Sequence, residues 1–151
     1  MTNGLMPGQL IVIAGRPGMG KYTIAMDIAR TNAVKAEIPT AFISLAMPVR
    51  ELILRCISAE GQIALHHLRS GQLTDEDVER MEAAVPRIND APLYVHDCER
   101  TYTGIQAKLR RLKSKHPDLG LVVIDYLQLV KLGGRRPESR QQEVSEISAA
   151  A

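Results

Sequence analysis

The sequence predicts an α/β fold with a mainly parallel sheet flanked by helices, and three observations predict it. Apolar runs of strand length alternate with helix-length segments whose apolar residues recur three and four positions apart. The run from Leu119 to Asp125 is too continuously apolar to alternate, as expected of a parallel strand buried on both faces. A glycine-rich turn joins the first apolar run, Leu10–Ala14, to the first helical pattern. Such a strand–turn–helix start belongs to α/β proteins.

The turn carries the chemistry. It reads Gly15, Arg16, Pro17, Gly18, Met19, Gly20, Lys21, Tyr22 and Thr23. Backbone N–H groups of a turn like this converge on a phosphate chain, and the following helix N-terminus adds its positive end. Glycines let the backbone turn tightly and come close to a ligand, and Lys21 is spaced to reach terminal phosphates. The spacing is G-x-x-x-x-G-K-[ST], with Tyr22 at the position of the final hydroxyl residue. A β–α turn with a surface lysine would share the glycines. The strand before and the helix after favour the phosphate reading.

The chain has 151 residues, one domain's worth, and can bury a sizeable core. Aromatics are scarce, with one Phe, four Tyr and no Trp, so Ile, Leu, Val, Ala and Met must build that core. A net charge of +2 does not by itself argue for nucleic acid. Cys56 and Cys98 stand too far apart for a metal spacing and are expected as reduced, partly buried thiols. No secretory signal and no membrane-length apolar run is present, so a soluble, cytoplasmic protein is expected.

Taken in order, Ile24, Ala25, Ile28, Ala29 and Ala33 mark a helix to about Glu37, closed by Pro39. Thr40–Leu45 reads as a second buried strand, and Pro48 suits the first turn of a helix carrying Leu52, Ile53, Cys56 and Ile57. Ile63–Arg69 reads as a short helix stopped by Gly71. Thr74 is the expected N-cap of an acidic helix with Val78, Met81 and Val85 on its apolar side, ending before Pro86. His66 and His67, adjacent on a helix, point in different directions and are expected at the surface or half-buried. Leu93–Val95 is a short strand, and Thr103–Lys115 a basic amphipathic helix turning Ile105, Leu109 and Leu112 inward. Gly133–Arg140 reads as a polar, basic loop, with a helix restarting over Gln141–Ile147.

Asp125 ends the long apolar run, where open α/β sheets place ligands. It is therefore the expected acid behind a nucleotide-bound magnesium, the Walker B role, with helix capping as the alternative.

Four ordered motifs carry a resemblance that covers about Gly4 to Ser148. They are Ala14–Lys21, Ile43–Pro48, Leu68–Leu73 and Val123–Leu129. In that order they resemble the C-terminal motor domain of DnaB-type replicative DNA helicases, a RecA-like P-loop family. The resemblance implies a single partial RecA-like ATPase domain over residues 1–151, using ATP and Mg2+, acting on single-stranded DNA and assembling as a homo-hexamer with catalytic sites between subunits. It places the phosphates on Gly15–Gly20 and Lys21, the metal on Asp125, and Gln128 near the site. Basic residues of the Gly133–Arg140 loop would touch DNA phosphates in the ring's channel.

Three departures accompany it. The family has Thr, a direct magnesium ligand, where this chain has Tyr22, and Thr23 is turned from that position by about 100° of helix. The family has a Glu that deprotonates the attacking water where this chain has Ala46, and a methyl group cannot replace it. The sequence also stops before the strand that, in the family, inserts between the strands of Asp125 and the phosphate loop, so the fold is expected to be incomplete at its C-terminus and to expose apolar edges. The N-terminal collar domain and the segments bringing a DNA-contacting loop and an arginine finger are likewise outside the sequence. The leading expectation is a helicase motor domain with impaired hydrolysis. The alternative is a non-catalytic nucleotide-binding module, or one that docks on a helicase ring.

Overall fold

Every residue of β1 (Thr40–Ser44) is buried, as suits the middle strand of a parallel sheet covered on both faces. In the computed structural model, which describes residues 6–16, 18–97, 101–126 and 129–130, β1 does lie in the middle. It pairs in parallel with β2 (Leu93–Asp97) on one side and β3 (Leu121–Asp125) on the other, in the order β2-β1-β3. The register sets Ser44 opposite both Asp97 and Asp125, so two carboxylates flank it at the strands' carboxyl ends.

Side chains alternate across β1 and divide the core in two. Ala41 and Ile43 meet Ile105, Leu109 and Leu112 of α5 (Tyr102–Lys115), the face expected to point inward. Phe42 points to the other side, where Met26 and Ala29 of α1 (Lys21–Arg30) and Leu52 and Cys56 of α2 (Val49–Gly61) close around it. Burial pushes the Cys56 thiol up to about 12, so it behaves as a small core group. A π-helical turn, Thr31–Lys35, prolongs α1. The short helix α3 (Leu65–Ser70) stops at Gly71, whose φ of +73° suits a residue without a Cβ.

Thr74 caps α4 (Asp75–Asp90) as expected, in a reciprocal capping box. Its Oγ1 accepts from the Asp77 N–H at 3.1 Å, and Asp77 Oδ2 accepts from the Thr74 N–H at 3.1 Å. His67 Nδ1 lies 2.7 Å from the same Asp77 oxygen. The bond from the Thr74 backbone is the main reason the Asp77 carboxyl lies below its usual 3.8. Thr74→Ala is expected to cost about 1 kcal/mol, read as a lower urea midpoint at pH 7. Because the folded pKa of Asp77 is depressed, its contribution is present above the unfolded value and lost as pH falls through the lower folded one. The gap between parent and variant should therefore narrow in strong acid.

Four expectations are corrected. Leu10–Ala14 is not a strand: it makes no ladder, and Leu10, Ile11, Val12 and Ile13 are all exposed, at 44–61%. An apolar run becomes a parallel strand only beside a neighbour that takes its N–H and C=O groups, and none of the three strands pairs with it. Secondly, α4 does not end before Pro86 but runs through it to Asp90. Beyond the proline, Ile88 packs on the Phe42 cluster and Arg87 reaches Glu60, contacts that offset one missing backbone bond. Thirdly, α4 buries Asp77 and Ala84, with Met81 and Ile88 half-buried, while Val78 and Val85 face outward. The capping role of Asp77 rotates the helix relative to its most apolar stripe. Lastly, β3 is not buried on both faces, since Val122 is exposed, and among the described residues it pairs with β1 alone.

Candidate functional site

The glycine turn leads into α1 from outside the sheet. Gly18 and Gly20 have φ of +80° and +77°, and a Cβ at either would meet nothing, so glycine serves backbone conformation there and the turn stays open. Met19 N–H donates to Arg16 O at 3.3 Å. Gly20 is the N-cap of α1 and offers no side chain to its free N–H groups. Lys21 folds back across the turn, its Nζ donating to Gly15 O and, at 2.9 Å, to Arg16 O. The turn thus presents exposed backbone and an ammonium that, among the described residues, is held by two carbonyls, an arrangement able to take an anion.

Asp125 ends β3 at the carboxyl end of the sheet. Its carbonyl accepts from Leu45 N–H at 2.7 Å, which fixes the end of β1 against it. Partial burial raises the Asp125 carboxyl above its ordinary value, and the Lys21 ammonium opposes that rise. The helix that Lys21 opens packs against the strand that Asp125 ends, which brings the ammonium near enough to act on that carboxylate. Ala46 is exposed in the turn after β1, where the Ser44 hydroxyl donates to Met47 O at 2.7 Å and accepts from Met47 N–H at 3.0 Å. That turn follows directly from the residues facing Asp125, so Ala46 belongs to the same corner.

Tyr22 departs from the pattern expected of its position. Its ring meets Phe42 edge-on, with centroids 6.0 Å apart and planes at 72°. The Arg55 guanidinium lies 5.2 Å from the ring centroid, a cation–π distance. The Tyr22 hydroxyl is buried and, among the described residues, has no hydrogen-bond partner. Burial dominates in raising its pKa, while Arg55 opposes the rise and the negative groups around it, Asp125 among them, add to it. Thr23, next along, is exposed. These residues do not fit a magnesium ion at Tyr22, because the oxygen that would meet it is enclosed by side chains.

Arg55 and Glu51 are part of this corner and no sequence signal led to them. Arg55 Nε donates to Glu51 Oε1 at 3.1 Å, and Arg69 pairs with the same carboxylate. Their i, i+4 spacing predicts the pair itself, but nothing in the spacing joins Arg55 to residue 22. Among the described residues, no group of three or more His, Cys, Asp and Glu side chains could hold a metal. Among them too, no helix is long and apolar enough to cross a membrane. Pro17, Gln128, Cys98, the basic loop Gly133–Arg140 and the Gln141–Ile147 helix lie outside the described residues.

Comparison with known proteins agrees with this architecture. The family described as DnaB-like helicase C terminal domain matches residues 1–151. The replicative DNA helicase DnaB of Leifsonia xyli subsp. xyli is 50% identical over 151 residues, covering 99% of this chain and 33% of that protein. The DnaB of Geobacillus stearothermophilus is 43% identical over 149 residues, covering 98% of this chain and 33% of its own length. The chain thus spans about a third of the curated relatives it matches. Among solved structures, a DnaB-like replicative helicase studied with its primase interactions superposes with a TM-score of 0.77 at 28% identity, over 89% of this chain and 32% of that one. The fold is therefore a RecA-like ATPase core, present in part.

Proposed function

This chain belongs to the family of DnaB-like helicase C-terminal domains, and from that premise we propose that it is part of a replicative helicase motor whose turn at Gly15–Lys21 holds the phosphates of ATP. One observation carries the reading: α1, which opens at the turn with Lys21, packs against β3, which ends at the acid Asp125, although about a hundred residues separate the two in sequence. In this reading the N–H groups of the turn and of the start of α1 face the phosphates. Lys21 exchanges its carbonyl partners for phosphate oxygens, and Asp125 stands behind them. Charge-assisted bonds of this kind are about twice as strong as neutral ones, so Lys21 has a favourable exchange to make.

The wider setting comes from the family. Single-stranded DNA as the track, a ring of six copies, catalytic sites between subunits and work in the cytoplasm are proposed here for this chain as well. Magnesium is the ion the family implies, and Tyr22 does not accommodate it in the family's manner. Ala46 offers no base for the attacking water. Hydrolysis is therefore the weakest part of the ancestral activity in this chain.

Titration of a fluorescent ATP analogue tests the reading. Saturable binding to the parent, weakened at least tenfold in Lys21→Ala, is the expected result. Binding that Lys21→Ala leaves unchanged would remove the loop from consideration. A second reading, a module that docks on a complete helicase ring without turning over nucleotide, is favoured by the methyl group of Ala46. It predicts capture of this chain by an assembled helicase even when Lys21 is replaced.

A further inference from the structure

The family's metal-binding position has taken another task in this chain. The Tyr22 side chain leaves the start of α1 and enters the seam between α1 and α2, where the edge contact with Phe42 and the guanidinium of Arg55 hold its ring. Arg55 is itself held, through Nε, by Glu51 one turn earlier on α2, and Glu51 by Arg69. Tyr22, Met26 and Phe42 belong to one cluster with the fully buried Leu52 and Cys56. The ring therefore contributes to the join between two helices and the central strand. To bring the hydroxyl out toward the turn, the ring would have to give up Phe42 and Arg55 together. Among the described residues its oxygen is enclosed without a partner, whereas the ring has both Phe42 and Arg55, so the ring accounts for its placement.

We propose that Tyr22 is a packing residue of the α1–α2 seam and not a metal ligand, so that a nucleotide held by the Gly15–Lys21 turn is held without a divalent cation at this corner. The packing half of the proposal stands by itself. The half concerning the cation rests on the phosphate-binding reading above.

Thermal unfolding of the parent, Tyr22→Phe and Tyr22→Thr separates the two. Tyr22→Phe keeps the ring and removes an oxygen with no partner, so it should melt at or above the parent temperature. Tyr22→Thr removes the ring from a packed cluster and should melt several degrees lower; failure of this variant to fold would point the same way. Tyr22→Thr melting with the parent, or Tyr22→Phe melting well below it, would overturn the packing role. Each protein is then melted with saturating ADP, once with Mg2+ and once with EDTA. An equal rise for the parent in both conditions supports binding without the cation. A larger rise in Mg2+ would overturn it, and its loss in Tyr22→Phe would further make Tyr22 a ligand. The absence of any rise would reject the phosphate-binding reading and with it the half concerning the cation, while the variant series still decides the packing role.

Discussion

Glu60→Ala is expected to lower folding stability by about 3 kcal/mol, the lower end of the range for removing one partner of a buried ion pair. Glu60 lies on α2 with its side chain 7% exposed, and it receives the Arg30 guanidinium from α1, 10% exposed, and Arg87 from α4 at 3.6 Å. Three helices therefore meet on one carboxylate. Without it, Arg30 stays enclosed and, among the described residues, has only Asp27, at 2.6 Å, to answer its charge. Asp27 is 61% exposed, so water screens part of what it offers. Among the described residues Arg30 Nε already lacks a partner, which leaves the group little reserve. Residual pairing to Asp27 keeps the expected loss from reaching the upper end, about 5 kcal/mol. Glu60→Gln should cost less, since an amide oxygen still accepts from Arg87 or Arg30. The double replacement Arg30→Met with Glu60→Leu should recover most of the loss, because it removes both charges together. Urea unfolding of Arg30→Met, Glu60→Leu and the double variant gives the coupling directly. A Glu60→Ala midpoint equal to that of the parent would show that the pair contributes nothing net.

The same residues explain why some of this architecture could be read from sequence and some could not. Local rules reached their targets where one segment settles its own structure. The threonine of the α4 capping box, the glycine ending α3 and the apolar side of α5 all depend on residues within a few positions. Positions that depend on a distant neighbour misled those rules. The strand state of Leu10–Ala14 requires a pairing partner, and the run itself says nothing about whether one lies beside it. The continuation of α4 past Pro86 depends on Ile88 and Arg87 finding the Phe42 cluster and Glu60. Its rotation follows from burying Asp77, a residue that composition alone assigns to the surface. At the candidate site, the glycines, Lys21 and Asp125 were legible as a pattern, and Tyr22 was legible as a departure from it. The direction of the Tyr22 ring was not, because Arg55 and Phe42, which hold it, come from two other elements.

Ala46 sets the last and largest expectation for chemistry. A general base in the position of its methyl group is worth about 10²–10⁴-fold in rate, and the enclosed Tyr22 hydroxyl adds a deficit of its own, so the parent chain should hydrolyse ATP slower by more than that factor than a relative carrying Glu at 46 and Thr at 22. The turn after β1 places residue 46 within one corner with Asp125 and is fixed by the two Ser44–Met47 hydrogen bonds. A carboxylate introduced there would start from a rigid base. Ala46 is exposed, so the larger side chain displaces nothing packed and the fold should tolerate it. Ala46→Glu should nevertheless recover only a minor part of the missing rate alone, because the Tyr22 hydroxyl remains enclosed between α1 and α2. The larger gain belongs to Ala46→Glu combined with Tyr22→Thr, assayed below the melting temperature of that weaker protein. Phosphate release, with and without single-stranded DNA, measures each step. Full recovery by Ala46→Glu alone would mean that water activation was the one deficiency and that the buried ring is no obstacle. A parent already turning over ATP at the rate of its relatives would mean that another group supplies the base, and that the methyl group at position 46 was misjudged.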